Sequence, residues 1–223
     1  LLITNLPPPY VRDKAAFPFP KLTIHLTFEH KILIFIYLRE VVMYSSDKIL
    51  QEIIYLLSLN DNKMSLLKLM KELYLIDRKS IEDRDTSVSG DVFYSMPHGP
   101  VLSQTLNMLN DLSHNNWGDY LSAEPARYYN DIKITKDIEF DRLSKKDRAY
   151  IQEISNKFKT YTPKELEEYT HTLPEWVDPK RSSLKIRYRD VMLALGKNES
   201  EIAEAKKEYE ALSELSKLSR SGA

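Results

Sequence analysis

The 223-residue sequence contains no cysteine. A disulfide framework, a thiolate nucleophile and cysteine-ligated zinc or iron–sulfur centres are thereby excluded, and a reducing compartment fits. Glycine is scarce as well: Gly90, Gly99, Gly118, Gly196 and Gly222 are all there are. Neither a phosphate-cradling P-loop nor a GxGxxG dinucleotide fingerprint can be written from them. A surplus of one charge is also missing, with Lys+Arg 32 against Asp+Glu 33 and a formal net charge of -1. Binding nucleic acid mainly by neutralising phosphates needs a basic excess, so that mode is unexpected, although a local basic face stays open. Long apolar runs are lacking too. The run Ile32-Leu-Ile-Phe-Ile-Tyr-Leu38 falls well short of the about 20 residues that cross a bilayer. Arg39-Glu40 follows it, where a secretory signal would place small residues and a cleavage site. No membrane association and no export are expected, and the chain reads as cytoplasmic.

What is present supports a packed core: 42% of residues are hydrophobic and 10% aromatic. The chain divides in two. Residues 1–42 hold Pro7, Pro8, Pro9, Pro18 and Pro20, five of the eleven prolines. The expectation is that 1–42 are a non-native upstream extension or a flexible arm, with translation starting at Met43. A purine-rich stretch encoding Arg39-Glu40-Val41-Val42 would sit at ribosome-binding distance from that methionine. Setting aside 1–42 leaves 43–223 as one domain, somewhat more acidic than the whole.

From Met43 onward the pattern is helical. Asp47–Leu59 places Ile49, Leu50, Ile53, Ile54, Leu56 and Leu57 at helical spacing, and Asn60-Asp61-Asn62 ends it. Ser65–Lys79 repeats the pattern with Leu66, Leu69, Met70, Leu73, Tyr74 and Ile76. Asp91–Ser95 reads as a short strand, and Pro97-His98-Gly99-Pro100 as a turn whose Pro100 opens a helix over Val101–Leu112. Ile132, Ile134, Ile138 and Phe140 are separated by even numbers, as in a small antiparallel pair. Ser144-x-x-Asp147, Thr162-Pro163-x-Glu165 and Asn198-x-x-Glu201 are capping boxes opening helices, and Gly196 closes a short one. The last helix, about Glu199–Leu218, carries Ile202, Ala205, Tyr209 and Leu212 on one stripe, read first as packing on its own domain. The fold class is therefore mostly α, within α+β: a compact helical domain with a small antiparallel β element.

Chemistry-bearing constellations are few. None of His25, His30, His98, His114 and His171 forms an H-x-x-x-H pair or sits beside a carboxylate at ligand spacing, so no metal is expected. There is no G-x-S-x-G elbow; His98 reads as a turn residue and Glu167-Glu168 as a solvated helix face. No catalytic residue and no cofactor is expected. The segment 144–171 resembles a helix-turn-helix and carries Lys145, Lys146, Arg148, Lys157, Lys159 and Lys164. Asp147, Glu153, Glu165, Glu167 and Glu168 interleave and would repel phosphates. A DNA-binding autoregulator built on this segment is the alternative reading.

Four motifs carry a resemblance. Lys68-Leu-Met-Lys71-Glu-Leu-Tyr74-Leu-Ile-Asp77-Arg78 resembles the second-helix signature of the Panacea (SocA-like antitoxin) family. Asp91-Val-Phe-Tyr-Ser-Met-Pro97-His98-Gly99-Pro100-Val-Leu-Ser103 resembles its Gly-Pro-Val turn. Leu166-Glu-Glu-Tyr-Thr170-His171 through Pro174-Glu-Trp176 is similar to its Leu-x-x-x-Thr-His…Pro-x-Trp stretch, and Arg187–Lys197 to its C-terminal element. Where the family pattern often has a second Pro before the Trp, this chain has Glu175, expected to alter a loop surface. The resemblance implies a bacterial or phage antitoxin that neutralises a cognate toxin by direct protein contact, with no enzymatic activity. One member type is an adaptor that delivers its toxin to the ClpXP protease. The motif and partner-contact candidates are Lys71, Tyr74, Asp77, Pro97, His98, Gly99, Pro100, His171 and Trp176. Fold maintenance is the leading expectation for them, with toxin contacts then falling on the loops Asp83–Gly90 and His114–Ala126.

Overall fold

The computed structural model describes residues 44–207 and residue 210. Helix α1 (Ser46–Ser58) opens where the Ser45 side chain accepts from Lys48 N at 3.4 Å. It buries Ile49, Leu50, Ile53, Ile54, Leu56 and Leu57, the expected stripe. Asp61 and Asn62 take positive φ of 55° and 62°, which stops the helix at the predicted break. Strand β1 (Lys63–Ser65) runs straight into α2 (Leu66–Arg84), capped by Ser65 and closed at a left-handed Asp85. The helix passes the expected end at Lys79 because Ser80 and Ile81 are still buried.

A two-residue hairpin, β2 (Phe93–Met96) and β3 (Gly99–Leu102), leads into α3 (Ser103–Asn110). Pro100 therefore lies in a strand, opposite Ser95, and does not start the helix. β3 is an edge strand, where a residue without an N–H is tolerated. The helix start is supplied instead by Asp91, whose carboxylate accepts from Gln104 N at 3.0 Å, Thr105 N at 2.8 Å and Thr105 Oγ1 at 2.7 Å. Two short 3-10 segments, Leu112–His114 and Asn116–Asp119, precede β4 (Leu121–Glu124) and β5 (Asp131–Ile134).

The β element is larger than expected. Two three-stranded antiparallel sheets form, in the orders β1-β5-β4 and β3-β2-β6, where β6 is Leu184–Ile186. The even-spaced run 132–140 is a strand only to Ile134. Ile138 and Phe140 pack on the core from an irregular segment, with Phe140 edge-on to Tyr55 at 5.1 Å.

Helices α4 (Lys145–Phe158) and α5 (Pro163–His171) both begin with the predicted reciprocal capping boxes, Ser144 with Asp147 and Thr162 with Glu165. A short α6 (Tyr188–Ala194) ends at Gly196, φ 83°, and helical residues resume at 199–207 behind the Asn198–Glu201 box. α2 is the spine of the molecule, packing on α4, α5 and β3. Its Lys68 Nζ donates to the carbonyls of Phe158 at 3.1 Å, Lys159 at 3.2 Å and Tyr161 at 2.8 Å, closing the end of α4 with a cation where the helix dipole favours one. A buried ion network joins three helices: Lys48 of α1 and Arg84 of α2 meet Asp147 of α4 at 3.2 and 2.5 Å. Ile202 and Ala205 pack on the same core, as expected of the first part of the last helical stripe. The expectations for 1–42, for Met43 as the start, and for Tyr209 and Leu212 lie outside the described residues.

Candidate functional site

One face of α2 meets the hairpin and the end of α5. Lys71, Tyr74 and Arg78 recur at three- and four-residue steps, so they project from the same side of the helix. Lys71 is fully buried, and its Nζ donates to the Pro100 carbonyl at 2.8 Å. Gly99, at φ 92°, carries the hairpin past it: a Cβ there would sit 2.7 Å from Thr170 Oγ1 and 3.1 Å from Lys71 Cε and Nζ. Only glycine fits both the backbone angle and the space. Thr170 lies buried on α5, its hydroxyl donating to the Glu167 carbonyl at 2.9 Å.

The chain after α5 folds back over the hairpin. His171 stacks on Trp176, ring centroids 4.0 Å apart and 14° from parallel. Trp176 Nε1 donates to the Met96 carbonyl at 3.2 Å, and Val177 N to Ser95 Oγ at 3.2 Å. Glu175, with no side-chain exposure, accepts from Tyr74 Oη at 2.9 Å and from Arg78 Nε at 2.7 Å. The Glu175 position is thus no loop surface. It is a buried ion pair that fastens 173–177 to α2.

Electrostatics follow burial. Desolvation pushes the Lys71 ammonium down to about 7, against the pull of Glu167. The Tyr74 phenol is driven well above its usual range by burial and by Glu175. Burial raises Asp77 to about 6, although its carboxylate accepts from Val88 N at 2.7 Å, from Ser89 N at 2.9 Å and from the Ser89 hydroxyl. Glu167 is also buried, contrary to a solvated helix face. His98 Nδ1 lies 3.0 Å from its Oε1 and Lys164 Nζ 3.5 Å from its Oε2. Burial opposes its charge, but these two neighbours outweigh it and hold the carboxyl below its ordinary range. Burial likewise lowers His171, whose Nε2 is buried with no hydrogen-bond partner among the described residues.

Lys71, Tyr74, Pro97, His98, Gly99, Pro100, His171 and Trp176 are therefore gathered into one cluster. Asp77, one turn further along α2, clamps the 88–89 loop instead. That clamp makes Asp83–Gly90 less free than its polar composition implies, because Val88 and Ser89 are buried. His114–Ala126 is largely a 3-10 turn and a paired strand. Lys71, Tyr74, Gly99 and Pro100 are buried, whereas Pro97 and His98 form the exposed hairpin tip and His171 and Trp176 are half-buried beside it. Sequence reasoning missed Glu167, Glu175, Arg78 and Thr170. For Arg78 the four-residue step from Tyr74 was a usable signal; for Glu175 it was the departure from the family pattern.

Among the described residues no group of three or more His, Asp or Glu side chains could hold a metal ion, and no helix is long and apolar enough to cross a membrane. Compared with known proteins, residues 69–177 match the family model for the antitoxin SocA-like, Panacea domain. No curated protein and no solved structure matches the chain. The matched span takes in α2 from Leu69, the hairpin and the α5–Trp176 segment, and thus the whole side-chain cluster; the 187–197 motif lies beyond it. Residues 69–177 of the chain are thus similar to the SocA-like antitoxin, Panacea domain.

Proposed function

We propose that this protein is a cytoplasmic antitoxin that neutralises a cognate toxin by direct, stoichiometric protein contact. The family match over 69–177 carries the reading. The geometry supports it: the motif side chains are occupied in fixing the hairpin and the 173–177 segment onto α2, and their exposed part is a rim suited to a macromolecule. Lys71 and Tyr74, the strongly shifted groups of the cluster, are sealed and already partnered. The exposed positions of α5 include Glu165 and Glu168 beside Lys164, which gives a DNA-reading helix no support. The test is co-expression with the protein encoded beside this one. Relief of its growth inhibition together with co-purification is expected; toxicity that this protein leaves unrelieved would sink the proposal. Delivery to ClpXP is distinguished from sequestration by the half-life of that neighbouring protein, which shortens only if this chain is an adaptor.

A further inference from the structure

Val177, Leu184, Tyr188 and Leu193 are four of the six exposed large hydrophobic side chains among the described residues, and all fall between 177 and 193. The same stretch carries Lys180, Arg181, Lys185, Arg187 and Arg189. Arg187 is held by Asp190 at 2.7 Å and Arg189 by Glu199. Lys180, Arg181 and Lys185 are exposed and form no ion pair among the described residues.

These features converge on one edge. In the order β3-β2-β6, strand β6 pairs with β2 on one side and with no described strand on the other. Its outer backbone N–H and C=O groups are therefore a template for a further strand. Val177 and Leu184 both lie against Ser95, the first donating its N–H to the Ser95 hydroxyl at 3.2 Å, the second as its register partner across the ladder. An apolar foothold thus sits beside the open edge, in a stretch that also carries three cations with no ion pair among the described residues. A second copy of this chain is a poor occupant, because an edge-to-edge pair would bring Lys180, Arg181 and Lys185 toward their own counterparts, and like charges across a ladder repel.

We propose that the β6 edge docks an acidic, extended segment of the partner protein, which adds a strand beside Leu184–Ile186 and sets its carboxylates against Lys180, Arg181 and Lys185. The proposal rests on the antitoxin reading and names the surface and the chemistry of its partner.

The test uses the full chain, the neighbouring-gene product, and an acetylated peptide of alternating glutamate and valine with its lysine–valine counterpart. Lys180→Glu/Arg181→Glu/Lys185→Glu is expected to weaken binding of the gene product about tenfold or more. A charge-matched Lys136→Glu/Lys145→Glu/Lys159→Glu control should stay within about twofold of the parent. Amide hydrogen exchange should slow at 184–186 in either complex, and the acidic peptide alone should bind, more weakly as salt rises. If the charge reversal lowers the melting temperature, the Gln versions of the same three positions replace it.

Equal binding by parent and reversed variant overturns the docking surface while leaving the antitoxin reading intact. Failure to relieve or bind the gene product, with the acidic peptide still protecting 184–186, overturns the antitoxin reading instead. No protection by the peptide, or binding of duplex DNA that the reversal abolishes, overturns the strand-docking proposal outright.

Discussion

Gly99 and Gly196 hold similar left-handed φ values, 92° and 83°, in very different surroundings. Around Gly196 nothing lies within 4 Å of an added Cβ, whereas at Gly99 the Thr170 hydroxyl is 2.7 Å and the Lys71 ammonium 3.1 Å away. Gly196→Ala should therefore cost only the backbone strain, about 1–2 kcal/mol. Gly99→Ala adds overpacking of a closed contact, about 1–3 kcal/mol more. Urea denaturation of the two variants checks the difference, and equal losses would show that the contact at Gly99 relaxes freely. Glycine scarcity made both positions conspicuous in the sequence. Which one is hemmed in could not be read there, because Thr170 and Lys71 come from helices distant in the chain.

At the scale of elements, the segment 173–177 is joined to α2 by a single carboxylate. Glu175 receives the Tyr74 hydroxyl and the Arg78 guanidinium on one oxygen, while its other oxygen is buried without a partner among the described residues. Glu175→Gln leaves Arg78 facing a neutral amide in a largely dry site and should destabilise by about 2–4 kcal/mol. Tyr74→Phe, which keeps the ion pair, should lose about 0.5–1.5 kcal/mol. Chemical denaturation gives both values; a smaller loss for the Gln variant would mean that the hydroxyl, not the ion pair, fastens the segment. The helix starts around this joint were legible. Ser144 with Asp147 and Thr162 with Glu165 are three residues apart, so their reciprocal bonds are local. Glu175 with Tyr74, 101 residues apart, and His98 with Glu167, 69 apart, carry no such local sign. Pro100 shows the opposite failure. Its local rule pointed to a helix start, and pairing of β3 along β2 overrode it.

For the whole molecule, α2 is a spine that buries charge as well as hydrocarbon, with Lys71, Glu72 and Asp77 all fully enclosed. This gives stability a pH dependence of two signs. Burial brings Lys71 to about 7 from 10.5, so between these values the unfolded chain binds more protons and stability rises with pH. Burial brings Glu72 to about 7 from 4.5 against the pull of Lys68, so there the folded chain binds more protons and stability falls as pH rises. Denaturation across these windows should show Lys71→Met flattening the alkaline rise and Glu72→Gln reducing the fall below neutrality, to which the raised Asp77 also contributes. An alkaline rise that persists in Lys71→Met would place its origin in another group.

Local patterning by itself determined most of the helices, the capping boxes of α4 and α5, the break at Asn60–Asn62, the mostly α class and the three motifs that fall on the matched span 69–177. Those signals act over one or two helical turns, within reach of residues adjacent in sequence. Tertiary structure alone decided that Glu167 and Glu175 are buried, that β5 lies between β1 and β4, and that β6 pairs with β2 and with no other described strand. The physical reason is that a charge is buried or a strand paired only when a partner arrives from elsewhere in the chain. The lack of cysteine and scarcity of glycine excluded whole chemistries, but neither could say which groups would meet.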